Sequence, residues 1–222
     1  YGGAWNEPEK ERIAQEIVLG IGGVRAIKAL GLSIDGYHYN DGHPAFAGLE
    51  LISERKKFYK EQNPDMTDEE CFKRAWRHVK ERTAFTTHTN VPAGNESHPI
   101  DMLIELGANV DLTRAELEKI GGEPNFGMTV ASLRLASMAN GVSRIQVLAA
   151  RDMWHWIEEA PNIIAITNGV HKGTWQDDDI GSAFCKNDVK GIYEAHTRCK
   201  KELLRIINER TGVEFKEDRI LI

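Results

Sequence analysis

The stretch R-T-A-F-T-T-H-T-N-V-P-A-G, Arg82 to Gly94, decides how this chain is read. Thr83 to Thr87 is a β-branched and aromatic run of strand type, and Val91-Pro92-Ala93-Gly94 ends it in a loop. His88 therefore falls where a strand stops. In open α/β sheets, ligands bind in the crevice outside the carboxyl ends of strands. Bracketed by Thr87 and Thr89, a histidine there offers a ring, two hydroxyls and free backbone groups to one ligand. Two readings stand: a histidine that caps a strand end, and one that faces a ligand.

Upstream, Ile13, Ile17, Val18, Ile21, Val24, Ile27 and Leu30 recur at helical spacing, with Pro8 at the start and Gly31 at the stop. Gly20-Ile21-Gly22-Gly23 lies inside this period. No strand precedes it and Arg25 replaces the third glycine of a dinucleotide fingerprint, so the glycines mark close packing of a neighbour. Ser33 to Tyr39 reads as a strand, with Asn40-Asp41-Gly42-His43-Pro44 as its terminal turn. A helix over Ala45 to Tyr59 turns Phe46, Leu49, Ile52 and Phe58 inward. Thr67 with Glu70 forms a capping box for a helix that buries Phe72, Ala75, Trp76 and Val79.

Downstream, Ile100 to Leu106 is a short helix, and Thr113 with Glu116 caps another that ends at Gly121-Gly122. Met128 to Met138 is read as helix, stopped by Asn140-Gly141 in a left-handed turn. Val142 to Leu148 fits strand and helix equally. Trp154, Trp156 and Ile157 suit a core or an interface. Asn162 to Thr167 is a buried strand ending at Asn168, and Val189 to Arg210 a long helix with Ile192, Ala195, Cys199, Leu203 and Ile206 inward. Strands alternating with helices predict an α/β fold, a Rossmann-like and mostly parallel sheet with helices on both faces.

With 222 residues and a formal net charge of −6, its basic residues scattered, the chain shows no nucleic-acid surface. No run approaches the ~18 apolar residues of a membrane span. Three distant cysteines, Cys71, Cys185 and Cys199, fit neither a disulfide framework nor a zinc site and point to a cytoplasmic setting. The chain begins at Tyr1 and stops in the strand-like Arg219-Ile-Leu-Ile222, which suggests a piece of a longer protein.

In a parallel sheet all carboxyl ends point one way, so Asn40/Asp41/His43, His88/Thr89 and Asn168 are expected to converge on one crevice. No nucleophile elbow, Walker loop or H-E-x-x-H is present. His38, His43 and His88 with Asp41 make poor metal ligands, because strand alternation aims neighbours at opposite faces. No metal is expected. Hydroxyl, amide and imidazole groups together suit a polyol such as a sugar, on which Trp5 or Trp175 can stack.

At these residues the chain resembles the α-glucan (glycogen or maltodextrin) phosphorylases of the short bacterial and archaeal type. Five segments carry the likeness in order: Tyr1-Gly-Gly with Arg12 to Arg25, Tyr39 to Phe46, Phe85 to Gly94, Met138 to Ile145, and Ile166 to His171 with Trp175. The resemblance implies a two-domain GT-B glycosyltransferase that passes the terminal glucosyl unit of an α-1,4-glucan to phosphate, giving glucose 1-phosphate. It implies pyridoxal phosphate as cofactor, held by a C-terminal domain absent here, and a homo-oligomeric parent. Residues 1–218 would be the later part of the N-terminal domain, and 219–222 the start of the linker. His88 would contact the glucosyl unit, its carbonyl near the anomeric carbon, with Asp41 as the second catalytic residue. Asp41, His43 and Thr89 would line the pocket, joined by Asn40 and Asn168, and Arg12 with the Tyr1 loop would form a gate. Ala4, Asn90 and Gln146 depart from the family pattern, where an acid, a proline and a histidine are usual. The chain alone is expected to be inactive. Rival readings are a non-catalytic glucan-binding module and a nucleotide-sugar glycogen synthase.

Overall fold

The computed structural model describes residues 8–91 and 94–218. The entrance loop at Tyr1, with Ala4 and Trp5, and the terminal run Arg219–Ile222 lie outside the described residues. Two compact units divide between Asn168 and Gly169.

In the first unit, α1 (Pro8–Ile17) passes through a π-helical turn (Val18–Gly22) into α2 (Gly23–Ala29). Gly31 then takes a left-handed φ of 68° and stops it. A Cβ at Gly20 would stand 2.7 Å from the backbone nitrogen of Ala47. The glycine therefore serves helix packing, as the sequence suggested. β1 (Tyr37–Asn40), α3 (Phe46–Gln62), α4 (Asp68–Lys80) and β2 (Thr83–Thr87) follow. Both capping boxes form, Thr67 with Glu70 and Thr113 with Glu116. Phe58, expected inward, is 44% exposed beneath Arg55.

Next come β3 (Ser97–Pro99), α5 (Ile100–Glu105), α6 (Arg114–Gly121), β4 (Asn125–Gly127) and α7 (Met128–Leu135). β3 and β4 pair antiparallel, a small sheet without a sequence signal because helices separate its two strands. The expected helix over Met128 to Met138 stops early. Ala136 is already extended, and Met138–Gly141 is strand β5, parallel to β2 on one side and to β6 (Ile163–Ala165) on the other. Met-Ala-Asn-Gly has little strand propensity; ladders on both edges hold it extended. Asn140-Gly141 is thus strand, not a left-handed stop. The undecided Val142 to Leu148 is largely helix α8 (Arg144–Trp154), capped by Ser143.

The main sheet runs β1-β2-β5-β6, all parallel. Tyr39, Phe85, Ala139 and Ile163 stand side by side in its register and are all buried, so this row anchors the core. On the opposite face His38, Asn40, Met138 and Ile164 are exposed. Helices on both faces were expected; on this second face the burial is uneven, with Thr86 buried and Ala84 and Asn140 partly so. Among the described residues β6 is an edge strand, with Ile164 and Ile166 exposed, and not a buried one. Trp156 is exposed too, whereas Ile157 is buried.

The second unit comprises α9 (Lys172–Trp175), α10 (Asp178–Cys185) and α11 (Val189–Thr211), which ends at a left-handed Gly212. Ala195 and Leu204 are its buried residues on α11, in place of the expected Leu203. Among the described residues, no helix is long and apolar enough to cross a membrane.

Phe85→Ala should lower the unfolding free energy by about 3–5 kcal/mol, as for a large side chain lost from a packed core. Phe58→Ala should stay under ~1 kcal/mol. Urea denaturation measures both, and similar losses would contradict the core drawn above.

Candidate active-site cleft

β1 ends at Asn40, and Asp41 takes a φ of 62°, a left-handed conformation that aspartate tolerates better than most residues. Its N–H donates to the Thr86 carbonyl at 2.9 Å. The turn brings the carboxylate to the end of β2, where Oδ1 accepts the backbone N–H of His88 at 2.8 Å. From the other side, Gln146 Nε2 donates to the Thr87 carbonyl at 3.0 Å. The peptide group between Thr87 and His88 is therefore held by both of its polar ends. The His88 side chain is exposed.

Gln146 does more than hold Thr87. Its Nε2 donates to Asn90 Oδ1 at 2.8 Å, its Oε1 accepts from Val142 N–H at 3.0 Å, and Asn90 Nδ2 donates to its carbonyl at 3.1 Å. A Cβ at Gly141 would lie 1.9 Å from Gln146 Oε1, so only glycine at the end of β5 admits this side chain. Asn90 and Gln146, two positions read as departures from a family pattern, are thus partners of each other.

His43 stands on the turn after β1. Arg12, on α1, donates to its Nδ1 through Nη2 at 2.8 Å. Since guanidinium only donates, Nδ1 is the acceptor and Nε2 carries the proton of the neutral ring. The same guanidinium forks onto Glu96, with Nε to Oε1 at 2.7 Å and Nη2 to Oε2 at 2.9 Å. Behind it Glu16, only 1% exposed, accepts from His98 Nε2 at 2.8 Å through Oε2. Glu16 Oε1 is buried without a hydrogen bond, 3.6 Å from Arg12 Nε and 3.8 Å from His43 Nδ1. Burial pushes the Glu16 carboxyl above its ordinary range, against the lowering bond from His98. At Glu96 burial also acts upward, but bonds from Arg12 and Glu16 outweigh it and hold that carboxyl low.

Ligand atoms of Glu16, His43 and Glu96 lie within 4.8 Å of one another. Arg12 already supplies the positive charge among them, so a cation would have to displace its bonds. Sequence reading missed Glu16, Glu96 and His98. The Arg12-to-Glu16 spacing of four on one helix was the available signal.

Two clefts meet at His43. One, bounded by Asp41, Thr89, Glu96 and Thr129, has a volume of about 10 Å³, room for roughly one water. The other, bounded by Arg12, Gln15, Glu16 and Leu19, has about 460 Å³. Of the two, only the second has room for a ring-sized group. Asn40 is exposed at the end of β1. Asn168 lies past the end of β6 with its N–H on the Val142 carbonyl. Two strand spacings separate β6 from β2, about 10 Å, so Asn168 shares the rim but Gln146 and the end of β5 intervene. Trp175 is exposed on α9 of the second unit.

No protein-family profile matches the chain. It is 32% identical to a maltodextrin phosphorylase of Thermococcus litoralis, over 95% of this chain and 28% of that protein. It is 35% identical to a glycogen phosphorylase of Mycobacterium tuberculosis, over 79% of this chain and 21% of that protein. An uncharacterized protein of Methanocaldococcus jannaschii is 36% identical over 95% of this chain and 36% of its own length. The chain is related to the maltodextrin and glycogen phosphorylases. It spans only about a third or less of the length of these relatives. The resemblance to phosphorylases seen in the Phe85 to Gly94 stretch and its companions is thereby matched over most of the chain.

Asp41→Ala strips the acceptor from the His88 N–H, and Gln146→Ala the donor to Thr87. Each should cost about 0.5–1.5 kcal/mol, and the double variant less than the sum, because both bonds orient one peptide. Thermal or urea unfolding of the three variants measures this, and strict additivity would count against the shared peptide. Glu16 predicts a pH dependence. Its folded-state affinity for a proton is raised, so its contribution is present at acid pH and is lost as pH rises through the raised value. Relative to the unaltered protein, Glu16→Gln should gain thermal stability between pH 4 and 7. A flat or falling difference in Tm would contradict the assignment.

Proposed function

We propose that this chain carries the glucan side of the cleft of an α-glucan phosphorylase. The observation that supports it is the doubly held peptide before an exposed His88, on the rim where Asp41 and His43 also gather. The relatives named as maltodextrin and glycogen phosphorylases support the substrate class. In this reading a terminal α-1,4-linked glucosyl unit lies across the two clefts against His88, Thr89 and His43, within reach of Asn40. Arg12 borders the entrance, and Asn168 contacts the glucan further along the rim.

Transfer of that unit to phosphate develops positive character at the anomeric carbon. A carbonyl dipole on a backbone held at His88 stabilises such charge without having to reorient, and the Asp41 carboxylate adds to the field. Retention of configuration and glucose 1-phosphate as product belong to the same proposal. So do a GT-B parent with a second domain beyond residue 218 and its pyridoxal phosphate. The residues bordering the two clefts do not fit that cofactor. They include no lysine for its aldehyde, and the Asp41 and Glu96 carboxylates would repel its phosphate. No step is therefore assigned to it within this chain.

Maltoheptaose titrated into the purified chain should bind saturably, and His88→Ala or Asp41→Ala should weaken binding. Equal binding by both variants would remove this cleft from the reading. With maltodextrin, phosphate and pyridoxal phosphate the chain alone should release no glucose 1-phosphate, and turnover would overturn the assignment as one side of a cleft. In a whole protein carrying this segment, His88→Ala keeps the backbone carbonyl and removes only the ring, so it should lower kcat by about tenfold, the worth of one hydrogen bond to the glucosyl unit.

A further inference from the structure

Glu16 on α1 and Glu96 in the loop before β3 stand within hydrogen-bond reach of each other. Two ionised carboxylates cannot bond, because both only accept. Glu16 Oε1 is also buried without a donor, 3.6 Å from Arg12 Nε and 3.8 Å from His43 Nδ1. One proton on Oε1 removes both difficulties. The hydroxyl donates to Glu96, and no buried acceptor is left unpaired. The charges then balance, since Arg12 brings one positive charge and pairs through two nitrogens with the one on Glu96. An ionised Glu16 would press a second, buried negative charge against the same guanidinium.

The other groups facing Glu16 fit this state. From β3, His98 Nε2 donates to Oε2 at 2.8 Å, while His98 Nδ1 is buried without a hydrogen bond, 3.8 Å from Glu9 Oε1. A doubly protonated ring would bury an N–H there with no acceptor within bonding distance. Burial is the strongest influence on Glu16 and raises its hold on a proton; the bond from His98 opposes this, and the nearness of Glu96 adds to it. The proton has a consequence at the cleft. It leaves the guanidinium fork to Glu96, and Nη2 of that fork also donates to His43 Nδ1 at 2.8 Å. This contact puts the His43 proton on Nε2, and His43 borders both clefts, so a ligand oxygen there meets a donor. Once Glu16 ionises, its Oε1 competes with Glu96 for Arg12, which loosens the contact that sets the ring.

We propose that protonated Glu16 is a positioning residue: through Glu96 and Arg12 it holds His43 with Nε2–H ready for a ligand oxygen, so that glucan binding weakens when Glu16 ionises. The glucan part rests on the reading of the cleft given above; the state of the ring does not. Nitrogen NMR of the purified, histidine-labelled chain reads that state without any glucan, the His43 signals being those lost in His43→Ala. At mildly acid pH, His43 should show a protonated Nε2 and an unprotonated Nδ1. Glu16→Gln places an amide N–H where the proton sits, so it should keep this pattern as the pH rises to neutral. Glu16→Ala, with unchanged circular dichroism, should give a mixture of ring forms. Over the same rise, maltoheptaose affinity of the unaltered chain should fall about fivefold relative to Glu16→Gln, the worth of one hydrogen bond. The same His43 pattern in the unaltered chain and Glu16→Ala, or parallel pH profiles of the unaltered chain and Glu16→Gln, would overturn the role. The second comparison decides if Glu16→Ala does not fold. No binding of maltoheptaose by a chain with the expected His43 pattern would sink the glucan reading and leave the positioning of His43 standing.

Discussion

One peptide group, between Thr87 and His88, organises this end of the sheet. Its carbonyl is fixed from α8 by Gln146 and its N–H from the turn after β1 by Asp41. Neither partner is near it in sequence, so the geometry exists only when β1, β2 and β5 are in register. The strand order places these carboxyl ends side by side, and the left-handed turn at Asp41 closes the gap between two of them. A loop held only by its own turn would move; a loop with one peptide bonded at both ends has a direction.

A second set of charges stands behind the first. Arg12 binds Glu96 through two nitrogens and His43 through one of these, and Glu16 lies behind with His98. Burial raises the proton affinity of Glu16, while the guanidinium keeps Glu96 ionised. The two carboxyls differ because only one has the full fork of the arginine. This asymmetry favours the negative charge on Glu96 over one on Glu16, since a charge in the interior is costly unless compensated.

The sequence made local grammar legible. Thr67 with Glu70 and Thr113 with Glu116 announced two helix starts, Gly31 a stop, and Thr83–Thr87 a strand. Polar residues at strand ends indicated the rim and placed Asp41, His43 and His88 on it. What stayed hidden depends on distant pairing. β5 reads as a helix tail because Met138 to Gly141 owes its extension to β2 and β6, not to its own side chains. Glu96 and Glu16 look like surface acids until α1 is laid against the loop after β2. Edge status is equally invisible, so Ile164 and Ile166 read as buried when they are exposed.

The mutual bonds of Asn90 and Gln146 have a bearing on descent. Gln146 Nε2 donates to Asn90 Oδ1 and Asn90 Nδ2 to the Gln146 backbone carbonyl, and Gly141 leaves the space that the glutamine side chain fills. A lineage that changed only one of the two would strand a half-buried donor or acceptor beside the loop after β2. Drift at these places is therefore tethered: the pair moves together or not at all, and a glycine four residues ahead of the glutamine's neighbour travels with them.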